Sequence, residues 1–357
     1  MSSTDPAREP AALSERERAI LKDIIQTHVD TGRPVSSRTL SKHAQHGLSA
    51  ASIRNIMADL EEAGYLMQPH TSAGRVPTTD AYRVYVRALM RHAPLGADEA
   101  SYIEHQLFDA AIADVDQLMT IATHLLSEMS SQVGVVLTPA VGDAVLRRIE
   151  FVRLGAQRIL CVLVSATGFV DHIVIDVDEP IDDAELVRIA NYVNDRFNGL
   201  PLRTIRDRLM ALMSEERTRI DHQLARTIRL ARRAVAHDAE PGVLVEGTTT
   251  LIGQPELADV VRIRRMLDTF ADQARLVGML NRCLDQEGVR VLIGDDSEVT
   301  SEFGLSLVAV PYGVGERQLG SLGIIGPSRM EYARVIALVH HLGRALSAAL
   351  TIGSRQS

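Results

Sequence analysis

The sequence of 357 residues lacks the features by which most enzymes are recognised. It contains two cysteines and no tryptophan, and it has no metalloprotease, P-loop, serine-hydrolase or dinucleotide-binding motif. Cys161 and Cys283 share no metal-ligand or redox spacing, so we expect two small core residues in a reducing cytoplasm. These absences argue against an enzyme, a metal site and a bound cofactor.

Segments that would target or anchor the chain are also missing from the sequence. The first residues, MSSTDPAREPAAL, are polar and have no apolar region of the kind found in secretory signals. The longest apolar run, around residues 304–311, is too short to cross a membrane and predicts a buried strand. We therefore expect a cytoplasmic protein with no membrane partner and with a disordered tail over residues 1–12.

The chain as a whole has no excess of positive charge, which many nucleic-acid-binding proteins have. Its formal net charge is −8, but the charge is unevenly spread. Residues 1–92 hold 12 Lys and Arg against 10 Asp and Glu, whereas the remainder holds 26 against 36. An acidic body would weaken non-specific association with nucleic acid and leave binding to the N-terminal part.

Hydrophobic periodicity divides the chain into blocks and predicts an α+β fold. Residues 98–132 have helical spacing and precede one short strand. Three β-rich runs with short turns follow, which is typical of an antiparallel meander, and helices dominate from there to about residue 237. Mixed strands and helices occupy residues 241–350, with a helical stretch over 269–286 and an apolar helix over 332–350.

The helices of the middle block suggest an interface rather than a reactive site. Three carboxylates, Asp182, Asp183 and Glu185, stand at a predicted helix start, where acids favour the helix dipole, and we prefer this interpretation to a metal site. The last helix has an apolar seam that is either intrachain core or part of a dimer interface, and we favour the interface. The seam comprises Leu209, Met213, Ile220, Leu224 and Ile228. A solvated face is predicted for Arg226, Arg229, Arg232 and Arg233.

The N-terminal part contains a helix–turn–helix pattern followed by a hairpin. A first helix is predicted from Ser14, which can form a capping box with Glu17. A short second helix follows, and a third helix starts after Ser49. Residues 65–67 and 75–76 predict paired strands joined by a turn-rich tip.

The third helix has the pattern of a helix that reads the major groove of DNA. Its apolar stripe at positions i, i+3, i+4 and i+7 consists of Ile53, Ile56, Met57 and Leu60. The opposite face has small and polar side chains near the N-terminus, and it is this end of such a helix that reaches base edges. Asp59, Glu61 and Glu62 would repel phosphates, so we expect only the first half of the helix to enter the groove.

We predict DNA contacts from three neighbouring segments. Arg54 can form a forked pair with guanine or bind a phosphate, and Asn55 can offer its amide to adenine or a phosphate. The hairpin tip offers short donors and one cation for backbone or minor-groove contact. The predicted set is Ser36, Ser37, Arg38, Ser49, Ala51, Ser52, Arg54, Asn55, His70, Thr71, Ser72 and Arg75. The alternative is a protein-interaction module, since small three-helix units with a hairpin also serve that purpose.

Two segments resemble the HrcA family of heat-inducible transcription repressors. They are SIRNIMADLEEAGYLMQPHTSAGRVPTTDAYRVYV at residues 52–86 and SLVAVPYGVGERQLGSLGIIGPSRMEYARVI at residues 306–336. The first segment is highly specific, the order of the two is that of the family, and the intervening chain fits in length. The resemblance therefore covers essentially residues 13–350.

The resemblance implies a fold and a function that periodicity alone does not supply. It implies a winged helix-turn-helix head (13–92), a GAF-like domain (98–144 and 241–350) and an inserted dimerising domain (145–240). It also implies a homodimer that binds an inverted-repeat operator in double-stranded DNA, represses heat-shock chaperone operons, is inactivated on heat stress and is helped by the GroE chaperonin. Two alternatives are a regulator whose GAF-like domain binds a small metabolite and an enzyme with a fused binding head.

Overall fold

The computed structural model describes most of the chain, with gaps. The described residues are 13–43, 47–70, 73–90, 94–111, 115–139, 144–166, 170–177, 179–215, 230–231, 234, 242–251, 260–284, 288–315 and 317–356. Several predictions concern residues or side chains outside this set. They are the disordered tail, the contacts of Thr71 and Ser72, the seam beyond Leu209 and the solvated arginine face.

Three helices and a small hairpin form the N-terminal part of the structure, which we call the head (residues 13–90). The head comprises α1 (Glu15–Thr31), α2 (Ser37–His43), α3 (Ala50–Glu62), β1 (Leu66–Met67), β2 (Val76–Pro77), α4 (Thr79–Val84) and a π-helical turn (Tyr85–Leu89). The two strands pair antiparallel, and a bridge between Val35 and Arg75 joins the segment before α2 to the hairpin. The predicted order of three helices and a hairpin is confirmed.

Local signals explain where α1 begins and ends. The Ser14 hydroxyl accepts the Glu17 N–H at 3.3 Å and the Glu17 carboxylate accepts the Ser14 N–H at 2.7 Å, which confirms the predicted capping box. These hydrogen bonds from Ser14 lower the pKa of the Glu17 carboxyl. Gly32 ends the helix at a φ of 64°, a left-handed conformation that glycine adopts without steric cost.

The remainder, which we call the body, is built on a five-stranded antiparallel sheet in the order β7–β3–β10–β9–β8. The strands are β3 (Val133–Leu137), β7 (Val243–Glu246), β8 (Arg290–Ile293), β9 (Leu305–Val314) and β10 (Arg317–Pro327). β3 precedes the middle block in sequence and the other four strands follow it. Two distant stretches of chain therefore fold into one sheet.

Helices cover both faces of this sheet. One face packs against α5 (Ala97–Ala111), α6 (Val115–Ser130) and α12 (Tyr332–Gln356). The other face packs against α9 (Val260–Ala271), α10 (Gln273–Asn281) and α11 (Glu298–Phe303). In β9, Val308 and Val310 belong to the first core and Leu307 and Ala309 to the second, because side chains alternate along a strand. The α+β fold class is confirmed.

The predicted bounds of one helical stretch in the body were wrong. The sequence predicted a single stretch over residues 269–286, whereas the structure has two helices that meet at Asp272. The Asp272 carboxylate accepts the Arg275 N–H at 3.4 Å and so caps α10. A local side chain-to-backbone bond of this kind competes with continuation of the preceding helix, which explains the break.

The middle block packs around a separate core of its own. Its elements are β4 (Leu146–Arg153), β5 (Arg158–Ser165), β6 (Val170–Asp176), α7 (Asp183–Phe197) and α8 (Leu202–Glu215). The strands pair antiparallel in the order β4–β5–β6, which confirms the predicted meander. The Asp182 carboxylate accepts the Glu185 N–H at 2.7 Å and caps α7, so this acid has the structural role that we preferred.

The last helix corrects our statement that no apolar run is long enough to span a membrane. By length and composition, Tyr332–Ile352 of α12 meets that criterion, with a mean hydropathy of 1.5. However, 56% of its most apolar window is buried inside the protein, where α12 packs on the sheet and on α5 and α6. A helix that packs against other elements on several sides has apolar residues on each of those sides. This packing explains the high mean hydropathy of α12.

Candidate nucleic-acid interface

The exposed face of α3 forms the centre of the candidate interface. Ile53, Met57 and Leu60 are buried in the head, and Ile56 is half-buried at the edge of the stripe. The opposite face is exposed, and it carries the predicted contact residues Ala51, Ser52, Arg54 and Asn55. The structure therefore brings a cation and a carboxamide next to two small side chains on one solvent-facing surface.

Ser49 determines where this surface begins. Its hydroxyl oxygen accepts the Ser52 N–H at 3.1 Å and lies 3.0 Å from the Ser52 hydroxyl, which makes Ser49 the N-cap of α3. The first turn of α3 is thus fixed with its N-terminus at the exposed face. A helix N-terminus presents N–H groups and a partial positive charge, both of which suit phosphate oxygens.

The C-terminal end of α3 is equally well defined. Gly64 adopts a φ of 84°, its N–H donates to the Glu61 carbonyl at 3.0 Å, and the Tyr65 N–H donates to the Leu60 carbonyl at 2.9 Å. This pair of bonds is a Schellman motif and turns the chain sharply into β1. The hairpin consequently follows α3 directly and lies beside it.

The start of α2 lies in the same head but contributes less than predicted. The Ser36 oxygen accepts the Thr39 N–H at 3.1 Å and caps the helix, and Arg38 and Thr39 are exposed. Ser37, also in the predicted contact set, is a buried residue with an exposure of 8%, which argues against a contact from the surface. Thr39 is not in the predicted set, although its position three residues after the Ser36 cap places it in the same first turn.

The hairpin tip is shaped by bonds that hold its two sides together. The Gln68 side chain donates to the Ala73 carbonyl at 3.0 Å, and the Ala73 N–H donates to the His70 carbonyl at 2.9 Å. His70 is exposed, in agreement with its predicted place in the contact set. Met67 is 51% exposed on β1, so the hairpin also presents one large apolar side chain.

Arg75, for which we predicted a phosphate contact, is paired with a carboxylate in the structure. Its Nε donates to the Glu61 carboxylate at 2.8 Å, and its Nη2 lies 2.6 Å from the same Oε2 atom. The side chains of Arg75 and Glu61 are 21% and 33% exposed. The ion pair links the hairpin to α3 and neutralises one of the three acids that we expected to repel phosphates.

Backbone contacts reinforce this attachment of the hairpin. Val35 and Arg75 exchange two N–H to carbonyl bonds, both of 2.8 Å. A side chain at Gly74 would collide with the Val35 carbonyl, so the close approach requires glycine. The Thr78 hydroxyl donates to the Gly64 carbonyl at 2.8 Å. The hairpin is therefore held to α3 and to the segment before α2 at several points.

The described part of the body contains cavities and a buried cysteine. No cluster of three metal-ligating side chains occurs among the described residues. Burial raises the pKa of the Cys283 thiol to about 11, which keeps it protonated and unreactive at neutral pH. The cavities include one of about 370 Å³ between α1 of the head and the start of α12, lined by Gln132, Arg329 and Arg334 among others.

Known proteins are similar to this chain over most of its length. The family model described as the HrcA protein C-terminal domain matches residues 116–336. A protein of Geobacter sulfurreducens named heat-inducible transcription repressor HrcA is 39% identical over 335 residues, which cover 94% of this chain and 97% of its own length. A protein of the same name from Xanthomonas campestris pv. campestris is 39% identical over 344 residues, covering 96% and 98%.

A solved structure shares the fold over nearly the whole chain. It is a crystal structure of a hypothetical protein that superposes with a TM-score of 0.64 at 22% sequence identity. The match covers 96% of this chain and 99% of that chain. At this identity the similarity shows only that the two chains share a fold.

Proposed function

The chain belongs to the HrcA family, so it is a heat-shock transcriptional repressor, and we propose that it binds an inverted-repeat operator as a homodimer. The matches to the relatives extend over both the head and the body. Repression implies binding to DNA, and the head is where we place that binding.

The observation that carries this proposal is the exposed N-terminal half of α3. A helix followed directly by a short hairpin suits a winged helix, in which the helix enters the major groove and the wing lies over the backbone. Arg54 and Asn55 are exposed side by side on α3, and their chemistry fits guanine and adenine edges. Ser49, Ala51 and Ser52 are exposed too and are small enough to let the helix approach closely.

Other members of the predicted contact set have supporting roles. Ser36 and Arg38 at the start of α2 are placed to meet phosphates, and His70 is placed to meet the backbone from the wing. We assign Arg75 to positioning of the wing because its guanidinium is paired with Glu61. Asp59 and Glu62 remain exposed on the second half of α3, which favours a pose in which that half stays outside the groove.

The body supports assignments of its own. A five-stranded antiparallel sheet between two helical layers fits a GAF-like domain, and the middle block, with a separate core, fits an inserted dimerising domain. Val152, Val170 and Val174 of the meander are between 42% and 49% exposed, which suits burial by a second copy. We infer a cytoplasmic dimer whose active form the GroE chaperonin promotes and whose inactivation by heat releases chaperone operons.

Footprinting on the promoters of chaperone operons tests this function. Purified protein should protect both halves of an inverted repeat, with the two protected half-sites centred a whole number of helical turns apart, about 34 Å each. Adding GroE chaperonin should increase the protected fraction, and a promoter in which one half-site is scrambled is the matched control. Absence of protection on the intact repeat, with and without chaperonin, would refute the proposal.

A second candidate function is a repressor that responds to a small metabolite. It is favoured by the cavity of about 370 Å³ between head and body, which is lined by the charged side chains of Arg329, Glu331 and Arg334 among others. A ligand bound there would touch both parts of the molecule. Thermal unfolding of the protein in a metabolite library distinguishes the two candidates, because a tight ligand raises the midpoint by mass action.

A further inference from the structure

Arg83 in α4 makes three polar contacts, two of which connect the head to the body. Its Nη2 donates to the Ile293 carbonyl at 2.9 Å and to the Asp296 carboxylate at 3.0 Å. Its Nη1 donates to Asp80 of the same helix at 2.8 Å. The Arg83 side chain is 25% exposed, and these carboxylates and the carbonyl fix the direction of its guanidinium.

The surface that receives Arg83 is a turn with a hydrogen bond of its own. Asp296 uses its second oxygen to accept the Ile293 N–H at 2.8 Å, so one carboxylate both caps the turn after β8 and binds the head. Gly294 in that turn has a φ of 58°, and a Cβ there would lie 2.7 Å from a methyl carbon of Thr79 at the start of α4. The turn at Gly294–Asp296 therefore fits closely against α4.

Apolar packing also joins the head to the body, because buried residues of both belong to one hydrophobic core. The rings of Tyr82 in α4 and Tyr332 in α12 lie 6.0 Å apart between centroids. His28 of α1 lies 2.8 Å from the Tyr82 hydroxyl through its Nδ1, and the Tyr332 hydroxyl lies 2.9 Å from both the Ser306 hydroxyl and the Ser328 carbonyl. Tyrosine rings in such contacts tolerate small rotations, whereas a guanidinium between two carboxylates and a carbonyl has one favourable direction.

We propose that Arg83 is a positioning residue that fixes the angle of the head on the body and so determines which half-site spacing the dimer accepts. This inference rests on the proposed function, in which two heads of one dimer bind together. Binding of both heads raises affinity only when the distance and angle between the two heads match those between the two half-sites. A dimer whose heads cannot reach both half-sites gains nothing from the second head. If the junction holds each head at one angle, the affinity of the dimer depends on the spacing between the two half-sites.

Operators with altered spacers measure this property directly. The intact protein should bind a repeat with the natural spacer about a hundredfold more tightly than one lengthened by half a helical turn, because only one head can then engage. For Arg83→Ala we expect the same ratio to fall to about tenfold or less, since a head with angular freedom can still reach the displaced half-site. Binding to an isolated half-site should remain unchanged, because Arg83 lies in α4 and outside the proposed DNA-contact set.

Two further variants separate the inferred role from a general loss of structure. Asp296→Asn keeps an oxygen to cap the Ile293 N–H but loses the charge that holds Arg83, so it should flatten the spacing profile as Arg83→Ala does. If Arg83→Ala does not fold, the spacing profile of Asp296→Asn tests the role of Arg83 in its place. Arg87→Ala removes an exposed arginine one turn further along and should keep the intact protein's profile.

Failure of the inference and failure of the proposed function give different results. If Arg83→Ala and Asp296→Asn fold, dimerise and keep the steep spacing dependence of the intact protein, Arg83 does not set the head angle. If the intact protein itself binds all spacers equally, both the angular constraint and two-headed reading are overturned. If it binds no inverted repeat at all, the proposed function is wrong and this inference falls with it.

Discussion

Arg75 of the hairpin and Glu61 of α3 form an ion pair in which Arg75 Nη2 lies 2.6 Å from Glu61 Oε2. The sequence places these two residues in opposing roles, one as a phosphate-binding cation and the other as an acid that repels DNA. The structure instead joins them, so that each satisfies the other. The pair changes how both the wing and the reading helix are to be tested.

The first prediction concerns this pair. Arg75→Ala should weaken operator binding by about 1 kcal/mol, the upper range for a partly exposed ion pair, because the wing loses one attachment to α3. The doubly substituted protein with Glu61→Arg and Arg75→Glu should regain much of that affinity, since the pair is restored in reverse. Gel shifts of Arg75→Ala, of the single variants Glu61→Arg and Arg75→Glu, and of the double variant measure the coupling.

The alternative role of Arg75, a direct contact with a phosphate, would be visible in the salt dependence of binding. A guanidinium that meets a phosphate contributes about one unit to the slope of log affinity against log salt concentration. A drop of that size in Arg75→Ala, with no recovery in the charge-reversed double variant, would return Arg75 to the DNA-contact set.

Features encoded by neighbouring residues were predictable from sequence. Ser14 with Glu17 identifies the start of α1, Ser49 identifies the start of α3, and the alternating pattern identifies the three strands of the meander. Each depends on side chains within a few residues of each other, so no knowledge of the tertiary fold is needed. The exposed face of α3 is predictable for the same reason.

Features that depend on distant residues were not predictable. Arg83 and Asp296 are 213 positions apart, and nothing in their local sequence indicates that α4 packs on the turn after β8. Ser37 is a polar residue of the kind usually found at the surface, yet this first position of α2 is buried in the head. The apolar length of α12 reflects contacts with the sheet and with α5 and α6, which become known only when those elements are assembled.

The second prediction separates stability from recognition. Ser49→Ala should destabilise α3 by about 0.5–2 kcal/mol, the usual cost of losing an N-cap, and should weaken operator binding because the reading helix frays at the end that faces DNA. Ser14→Ala removes the corresponding cap from α1, so it should cost similar stability and leave DNA affinity nearly unchanged. Urea unfolding and gel shifts of both variants measure the two effects, and equal losses of affinity would remove α3 from the interface.

The third prediction concerns a histidine that links α6 to β7. His124 Nδ1 lies 2.7 Å from the Glu246 carboxylate, and this hydrogen bond raises the pKa of the imidazole above its ordinary value of 6.5. Because the folded-state pKa is raised, protonated His124 contributes its full stabilisation below the ordinary pKa of 6.5. This contribution is lost as pH rises through the folded-state pKa. The two side chains are 56% and 42% exposed, so the effect should be small.

Urea midpoints measured from about pH 5.5 to pH 8.5 test this contribution, because the range covers the titration of histidine. The intact protein should exceed His124→Gln in midpoint at the acidic end, and the difference should shrink towards the alkaline end. A difference that stays constant over the whole range would mean that the proton on His124 does not contribute to stability.

The fourth prediction tests the reading surface itself. Arg54→Ala should weaken binding to the operator by about 1–3 kcal/mol if the guanidinium forms a forked contact with a guanine, while the dimer stays intact. Arg54 is exposed on α3, so the substitution should leave the stability of the head within about 0.5 kcal/mol. Arg16→Ala, which removes an exposed arginine from α1, is the matched control for the change in net charge.

Competition between the operator and non-specific DNA distinguishes a base contact from a phosphate contact by Arg54. Loss of a base contact lowers affinity for the operator more than for other DNA, whereas loss of a phosphate contact lowers both about equally and reduces the salt slope by about 1. We expect the first pattern, because Arg54 lies within the first turns of α3, the part of a reading helix that reaches base edges. Operator affinity unchanged from that of Arg16→Ala would remove Arg54 from the reading surface and leave Asn55 as the principal candidate for base recognition.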